Sequence, residues 1–183
     1  MKVIVNTSTF KENDNERITS VINELVKSIK QNNEEIDFTI VKPMGRSGKK
    51  LIIKDDMKIY CYRYFWLNRY QNFGEIGIKP ALQKNYLNIF KLLFLIFSQY
   101  FALAKIVKNT NPDFIYAHWF FPQAIVSSLV ARRYKVKFVF TSHGSDVQIL
   151  NTLGPLGKFI IRQVTKKAFR YTAVSDLTMQ EIN

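Results

Sequence analysis

Phe140-Thr141-Ser142-His143-Gly144-Ser145-Asp146-Val147 is the stretch on which the fold turns. Lys137 to Ser142 reads as a short strand. A histidine, a glycine and an acid follow at once, where that strand should end. Open α/β sheets bind their ligands at the carboxyl ends of the strands. The chain has only one other histidine, His118, and it closes a second strand-like run, Phe114-Ile115-Tyr116-Ala117. If the two strands are parallel neighbours, both histidines point into one crevice.

Working outward, strand and helix alternate. Lys2 to Asn6 reads as a strand, and Glu16 to Lys30 as an amphipathic helix with Ile18, Val21, Ile22, Leu25, Val26 and Ile29 on one side. Ile36 to Val41 is a strand, and Leu51 to Phe65 two short strands turning at Asp55-Asp56. Trp66 to Lys79 has no clear period. Pro80 is placed to open a long helix to Lys108. Helix Gln123 to Tyr134, strand Lys137 to Ser142, helix Leu156 to Phe169 and strand Tyr171 to Val174 follow, and Ser175 is placed to cap one more helix. Strands separated by helices of this size imply βαβ units, hence a Rossmann-like parallel sheet flanked by helices.

The length of 183 residues fits one domain, or one domain with an extension, and 47% apolar residues supply a core. Cys61 is the single cysteine, which excludes an internal disulfide and suits a reducing compartment. Its run of neighbours reads as a strand, so a small core side chain is expected there. No secretory leader is visible at Met1-Lys2, which points to the cytoplasm. Net charge is +13, and residues 38 to 175 hold 22 Lys and Arg against five acids. Such a surface favours anionic partners, an anionic membrane among them. A lysine-rich background is the bland explanation. Leu87 to Val107 is nearly apolar, which reads as a buried helix with one face open to membrane or a partner, in preference to a transmembrane span.

Three places carry candidate chemistry. His118-Trp119-Phe120-Phe121-Pro122 sets a polar ring beside aromatics that could wall a small-molecule site, or simply pack the next helix. In His143-Gly144-Ser145-Asp146 the imidazole can exchange hydrogen bonds with a substrate hydroxyl, Gly144 permits close approach, and Asp146 can orient the ring or cap a turn. A satisfied turn histidine is the alternative. Asn6-Thr7-Ser8-Thr9-Phe10 could line the same crevice but lacks the dinucleotide fingerprint. Lys158, Arg162, Lys166 and Lys167 recur along one helix side, suited to phosphate, membrane or solvent. His118, His143 and Asp146 have ligand chemistry but no i, i+4 pair or cysteine cluster, so no metal is expected.

Four stretches in order resemble the N-terminal, acceptor-side half of a bacterial GT4-type glycosyltransferase of GT-B fold. They are Pro112 to Trp119, the helix with Ala131-Arg132-Arg133, Phe140 to Asp146, and Tyr171-Thr172-Ala173-Val174-Ser175. The resemblance implies a GT4-like N-terminal domain over 1–175 and a linker or helix over 176–183. It implies His143 beside the reacting sugar as catalytic residue. His118, Trp119, Asp146 and Arg162 would serve the acceptor, and Thr7, Ser8 and Gly144 would lie near the donor. Transfer would be retaining, with no cofactor and no metal, from a UDP- or GDP-sugar to a lipid-linked or polysaccharide acceptor. Family members commonly carry a glycine pair after strand one, which Thr7 to Glu16 lacks. The family continues past the position of Ser175 into a second, nucleotide-binding domain, so this chain is expected to be half an enzyme, inactive alone. The competing expectation is a non-catalytic basic module that binds membrane or a partner subunit. A nucleic-acid binder has no motif here beyond charge.

Overall fold

The computed structural model describes residues 1–12, 21–84 and 88–182. The start of the helix expected from Glu16, with Ile18, and any continuity across 85–87 lie outside the described residues.

Among the described residues seven strands form one sheet: β1 (Lys2–Asn6), β2 (Asp37–Pro43), β3 (Leu51–Lys54), β4 (Met57–Tyr62), β5 (Phe114–His118), β6 (Lys137–Ser142) and β7 (Arg170–Ala173). Their order is β3-β4-β2-β1-β5-β6-β7. All neighbours run parallel except the edge hairpin β3-β4. That hairpin turns at Asp55 and Asp56, both at positive φ (51° and 56°), as a two-residue turn between right-twisted strands demands. Helix α1 (Val21–Asn32) covers one sheet face. α4 (Asn88–Thr110), α5 (Ile125–Tyr134), α6 (Ser145–Asn151), α7 (Pro155–Lys167) and α8 (Asp176–Ile182) build on the other, and the short α2 (Phe73–Ile76) and α3 (Ile78–Lys84) lead into α4.

Strand alternation divides the core between these layers. Val3 and Val5 pack with Ile22, Val26, Phe38 and Ile40 beneath α1. Ile4, Ile115, Ala117, Phe138 and Phe140 pack with Leu95, Leu103, Val126 and Ile161 from the opposite helices. Cys61 is buried in the core on the α1 side.

The chain winds outward from β1 in both directions, to β2 and β4 on one side and to β5, β6 and β7 on the other. The topological switch point therefore lies between β1 and β5, where strand ends splay and leave a crevice.

Local boundaries differ from expectation in three places. The helix expected to open at Pro80 begins at Ile78, because proline is tolerated within a first turn whose N–H groups have no helical partner. The helix expected from Gln123 is preceded by a π-helical turn, Phe120–Ala124, in which Phe121 is extended (φ −112°, ψ 128°). The segment after Gly144 forms α6, which packs closely on α7: a Cβ built on Gly157 would lie 1.8 Å from the Leu150 carbonyl oxygen. Residues 176–182 form a helix rather than an extended linker, seated through buried Thr178 and Ile182 and capped by Ser175, whose Oγ accepts from the Thr178 N–H at 3.2 Å.

Candidate functional site

Three loops meet at the switch point: Thr7–Phe10 after β1, Trp119–Pro122 after β5, and His143–Ser145 after β6. Parallel pairing of β5 with β6 sets His118 beside Thr141 and brings the two histidines together. His118 Nδ1 lies 3.4 Å from His143 Nε2. His118 is buried, and its Nε2 has no hydrogen-bond partner among the described residues. Burial, reinforced by the neighbouring His143, pushes its pKa down to about 3. His143 is half-buried. Burial lowers its pKa as well, against an opposing pull from the Asp146 carboxylate. Both rings are thus neutral at pH 7. One must donate its N–H to the other, so protonation or hydrogen bonding at His143 is felt at His118.

Trp119 completes this group. Its backbone sits at φ +72°, a left-handed conformation that is costly for a bulky side chain. Two hydrogen bonds hold it there: its N–H donates to Thr141 O (3.0 Å) and its carbonyl accepts from the Ala124 N–H (3.1 Å). The result is an indole 4.8 Å from the His143 ring, tilted by 33°. Strain maintained by such bonding marks a placed side chain.

Asp146 ties the two loops together. Its carboxylate accepts a short hydrogen bond from the Phe120 N–H and one from Ser142 Oγ at 3.3 Å. Asp146 therefore clamps the Trp119 turn to the His143 turn, and its oxygens are occupied within the fold. Gly144 adopts φ +90°, and a Cβ there would meet Thr178 Oγ1 at 2.8 Å, so glycine is required both by conformation and by α8.

The crevice itself has a volume of about 270 Å³. Ser8 and Thr9 supply its polar side. Trp119, Phe121, Pro80 and Ile149 supply apolar wall, with Asp146 at the border. Thr7 is buried, its hydroxyl turned back onto the Thr9 carbonyl (2.9 Å) and away from a ligand. Arg162 lies elsewhere. It lines a separate cavity of about 640 Å³ with Asn151, Lys158, Thr165 and Gln180, none of which borders the crevice. Its helical spacing with Lys158 and Lys166 puts these cations on the solvent face of α7. Among the described residues no three His, Cys, Asp or Glu side chains converge as a metal site would need.

Sequence reading missed what supports the crevice from below. Asn6, at the end of β1, donates through Nδ2 to Ser127 Oγ (2.9 Å) and the Gln123 carbonyl (3.3 Å), and accepts from Gln99 Nε2 (2.9 Å). Lys42, fully buried, pairs with Glu12 at 2.9 Å and donates to the Phe10 carbonyl at 2.7 Å, which pins the loop after β1. Gln99 had left a trace, as a polar residue inside the apolar run of α4. Lys42 had left none.

Known proteins share this fold. The solved UDP-GlcNAc 2-epimerase of Neisseria meningitidis, bound to UDP-GlcNAc, is similar over 100% of this chain and 43% of its own, with 15% identity and a TM-score of 0.54. The UDP-GlcNAc 2-epimerase of Methanocaldococcus jannaschii is similar over 100% of this chain and 42% of its own (13% identity, TM-score 0.53). These likenesses show the fold, a Rossmann-like half of a GT-B architecture. In sequence, the chain is 23% identical over 121 residues to an uncharacterized glycosyltransferase of M. jannaschii, an overlap of 65% of this chain and 34% of that one. The chain thus spans well under two thirds of the length of these relatives. Residues 24–175 match the model of the family described as glycosyl transferase 4-like, and they include the loops after β5 and β6 that meet at the crevice. This chain belongs to the glycosyl transferase 4-like family.

Proposed function

We propose that the chain is the acceptor-binding domain of a retaining glycosyltransferase. It would move a sugar from a UDP- or GDP-sugar to a lipid-linked or polysaccharide acceptor in cell-surface glycan synthesis. The observation that carries this reading is the His143 imidazole, held neutral against His118 and packed on Trp119, which in turn walls the crevice; neither histidine itself lines it. A neutral imidazole there can donate to or accept from a sugar hydroxyl. The Trp119 and Phe121 rings offer apolar faces to a sugar or isoprenoid, and the Ser8 and Thr9 side offers hydrogen bonds.

Each residue then has a stated task. His143 hydrogen-bonds the reacting sugar and strengthens that bond as charge develops. His118 fixes the imidazole from beneath, Asp146 fixes both loops, and Trp119 shapes the acceptor wall. Ser8 and Gly144 would serve the donor phosphates. Family membership supports transfer chemistry, and UDP-GlcNAc in the Neisseria epimerase supports a nucleotide-sugar as donor. Catalysis needs donor and acceptor held together. Since the chain spans 34% of its glycosyltransferase relative, it is expected to bind acceptor without turnover on its own.

The test has two arms. The chain carrying Trp66→Phe leaves Trp119 as its single tryptophan, whose fluorescence should change on titration with lipid-linked glycans or polysaccharide fragments. In an active enzyme containing this domain, His143→Ala should lower kcat/KM by a factor on the order of 10² with little change in Tm. Robust sugar transfer by the 183-residue chain alone refutes the inactive-alone reading. An unfolded His143→Ala variant with normal activity per folded molecule refutes the catalytic role.

A further inference from the structure

The crevice at the switch point is chemically one-sided. Its volume of about 270 Å³ is at the small end for a ligand site and suits a single pyranose ring. Ile76, Ile78, Pro80 and Ile149 line it with aliphatic surface, and Trp119 and Phe121 add two aromatic rings. Hydroxyls come from one side alone, that of Ser8 and Thr9. These two residues keep 6% and 8% of their surface, and neither hydroxyl is engaged by another described residue.

Charge in the crevice runs against the rest of the chain. The sequence carries 27 Lys and Arg against 14 acids, yet the ionisable side chain in the described lining is an acid, Asp146. Its carboxylate is fixed at the border by the Phe120 N–H and Ser142 Oγ. The histidines behind Trp119 are neutral at pH 7 and supply no offsetting positive charge. A carboxylate or phosphate brought into this enclosed, weakly screened space would lose water, find no counter-ion and meet a like charge.

We propose that the crevice selects a neutral acceptor sugar bearing a methyl group, on a 6-deoxy carbon or in an N-acetyl group, and rejects acidic and phosphorylated sugars. This names the substrate class of the acceptor reading given above and rests on it. A fully hydroxylated hexose presents hydroxyls all round its edge. Those facing Ser8 and Thr9 are met by protein hydroxyls. A hydroxyl turned to Ile78, Pro80 or Ile149 would be stripped of water and left without a partner. A methyl group in that place is favourably removed from water. The Trp119 and Phe121 rings then cover the C–H face of the sugar. Helix α6 carries both parts of the selection, since Asp146 and Ile149 stand three positions apart on one helix side. One supplies the repelling charge and the other the apolar wall.

Matched glycosides test it. In the chain carrying Trp66→Phe, Trp119 fluorescence reads binding, and saturation-transfer NMR reads which sugar protons approach the protein. The panel is the methyl glycosides of 6-deoxyglucose, glucose and glucuronic acid, which differ at the exocyclic carbon alone, the same three in the galacto series, and methyl N-acetylglucosaminide. A methyl-bearing glycoside should bind about tenfold tighter than its parent, as a single methyl group in an apolar pocket allows. The uronides should bind about tenfold or more weaker than their parents, from like-charge repulsion. Comparing the 6-deoxy and N-acetyl members decides which methyl is recognised, and saturation transfer should be strongest at its protons. Ile149→Thr keeps the branched shape, adds a hydroxyl and should erase the preference. Ile76→Thr, at the exposed end of the wall, gives the same comparison should Ile149→Thr fail to fold. Asp146→Asn should relax the rejection of uronides. Uronides that bind as tightly as the methyl-bearing sugars, or parent sugars that bind tightest, overturn the inference and leave the acceptor reading standing. A preference that survives both Thr substitutions puts the sugar outside this crevice and overturns it as well. So does binding by no member of the panel, and if lipid-linked glycans and polysaccharide fragments then fail to bind too, the acceptor reading falls with it.

Discussion

Lowering the pH from 7 to 5 should destabilise this domain through His118, and the size of the effect follows from its burial. In the unfolded chain the imidazole takes up a proton near pH 6.5. In the folded chain desolvation and the adjacent His143 hold protonation off until about pH 3. Between these values the unfolded state binds more protons, so stability is lost as pH falls through 6.5 toward 3 and is independent of this group above that window. At pH 5 the loss is about 2 kcal/mol, at 1.36 kcal/mol per pH unit of separation. His143 is shifted in the same direction and adds to the slope. His118→Gln isolates the first contribution, since an amide of similar reach cannot titrate. Urea unfolding of both proteins at pH 7 and pH 5 gives the comparison, with all other titrating groups cancelling to first order. The parent should lose about 2 kcal/mol more than the variant across the interval. Parallel losses, or a parent that gains stability in acid, would refute the buried neutral histidine and the site geometry built on it.

Asp146→Ala should cost about 3 kcal/mol or more, because it strands the buried Phe120 N–H and Ser142 hydroxyl. Asp146→Asn, which keeps one acceptor, should cost roughly half of that, and equal costs in urea unfolding would show that the clamp is not a hydrogen-bonded one. Gly157→Ala gains about 1 kcal/mol of helix propensity in isolation, yet it should destabilise by about 1–3 kcal/mol here. The cause is the Leu150 carbonyl oxygen 1.8 Å from the new Cβ, and a raised Tm would mean that α6 and α7 do not pack as described. Glu12→Gln should cost about 3–5 kcal/mol by leaving the enclosed Lys42 ammonium without its counter-charge. Adding Lys42→Met should recover much of that loss, so additive costs in the double-mutant cycle would disprove the pairing.

The parts of this molecule that were legible in sequence are those whose cause is local. Strands β5 and β6 announce themselves as short runs of β-formers, and the β3-β4 turn as two aspartates able to take positive φ. The pairing of His118 with His143 could be anticipated because two strands of equal role, each ending in a histidine, become neighbours once a parallel sheet is accepted. What stayed hidden depends on contacts between distant segments. Asn6 reaches Gln99 across 93 positions and Ser127 across 121, and no spacing rule links them. Helices α2 and α3 lie in an aromatic stretch whose burial comes from Tyr64, Phe73 and the start of α4, so they leave no period of their own. Arg162 shows the opposite case. Regular cation spacing on α7 looks like a site in one dimension, but the helix buries Ile161 and Val164 and turns its cations to another surface. The apolar run of α4 combines both cases. Its composition alone fits a core helix, an interfacial helix or a span. Only the burial of Leu92, Leu95, Gln99, Leu103 and Ile106, with the phenylalanines left outside, tells which side of the helix the fold uses and which side remains for a partner.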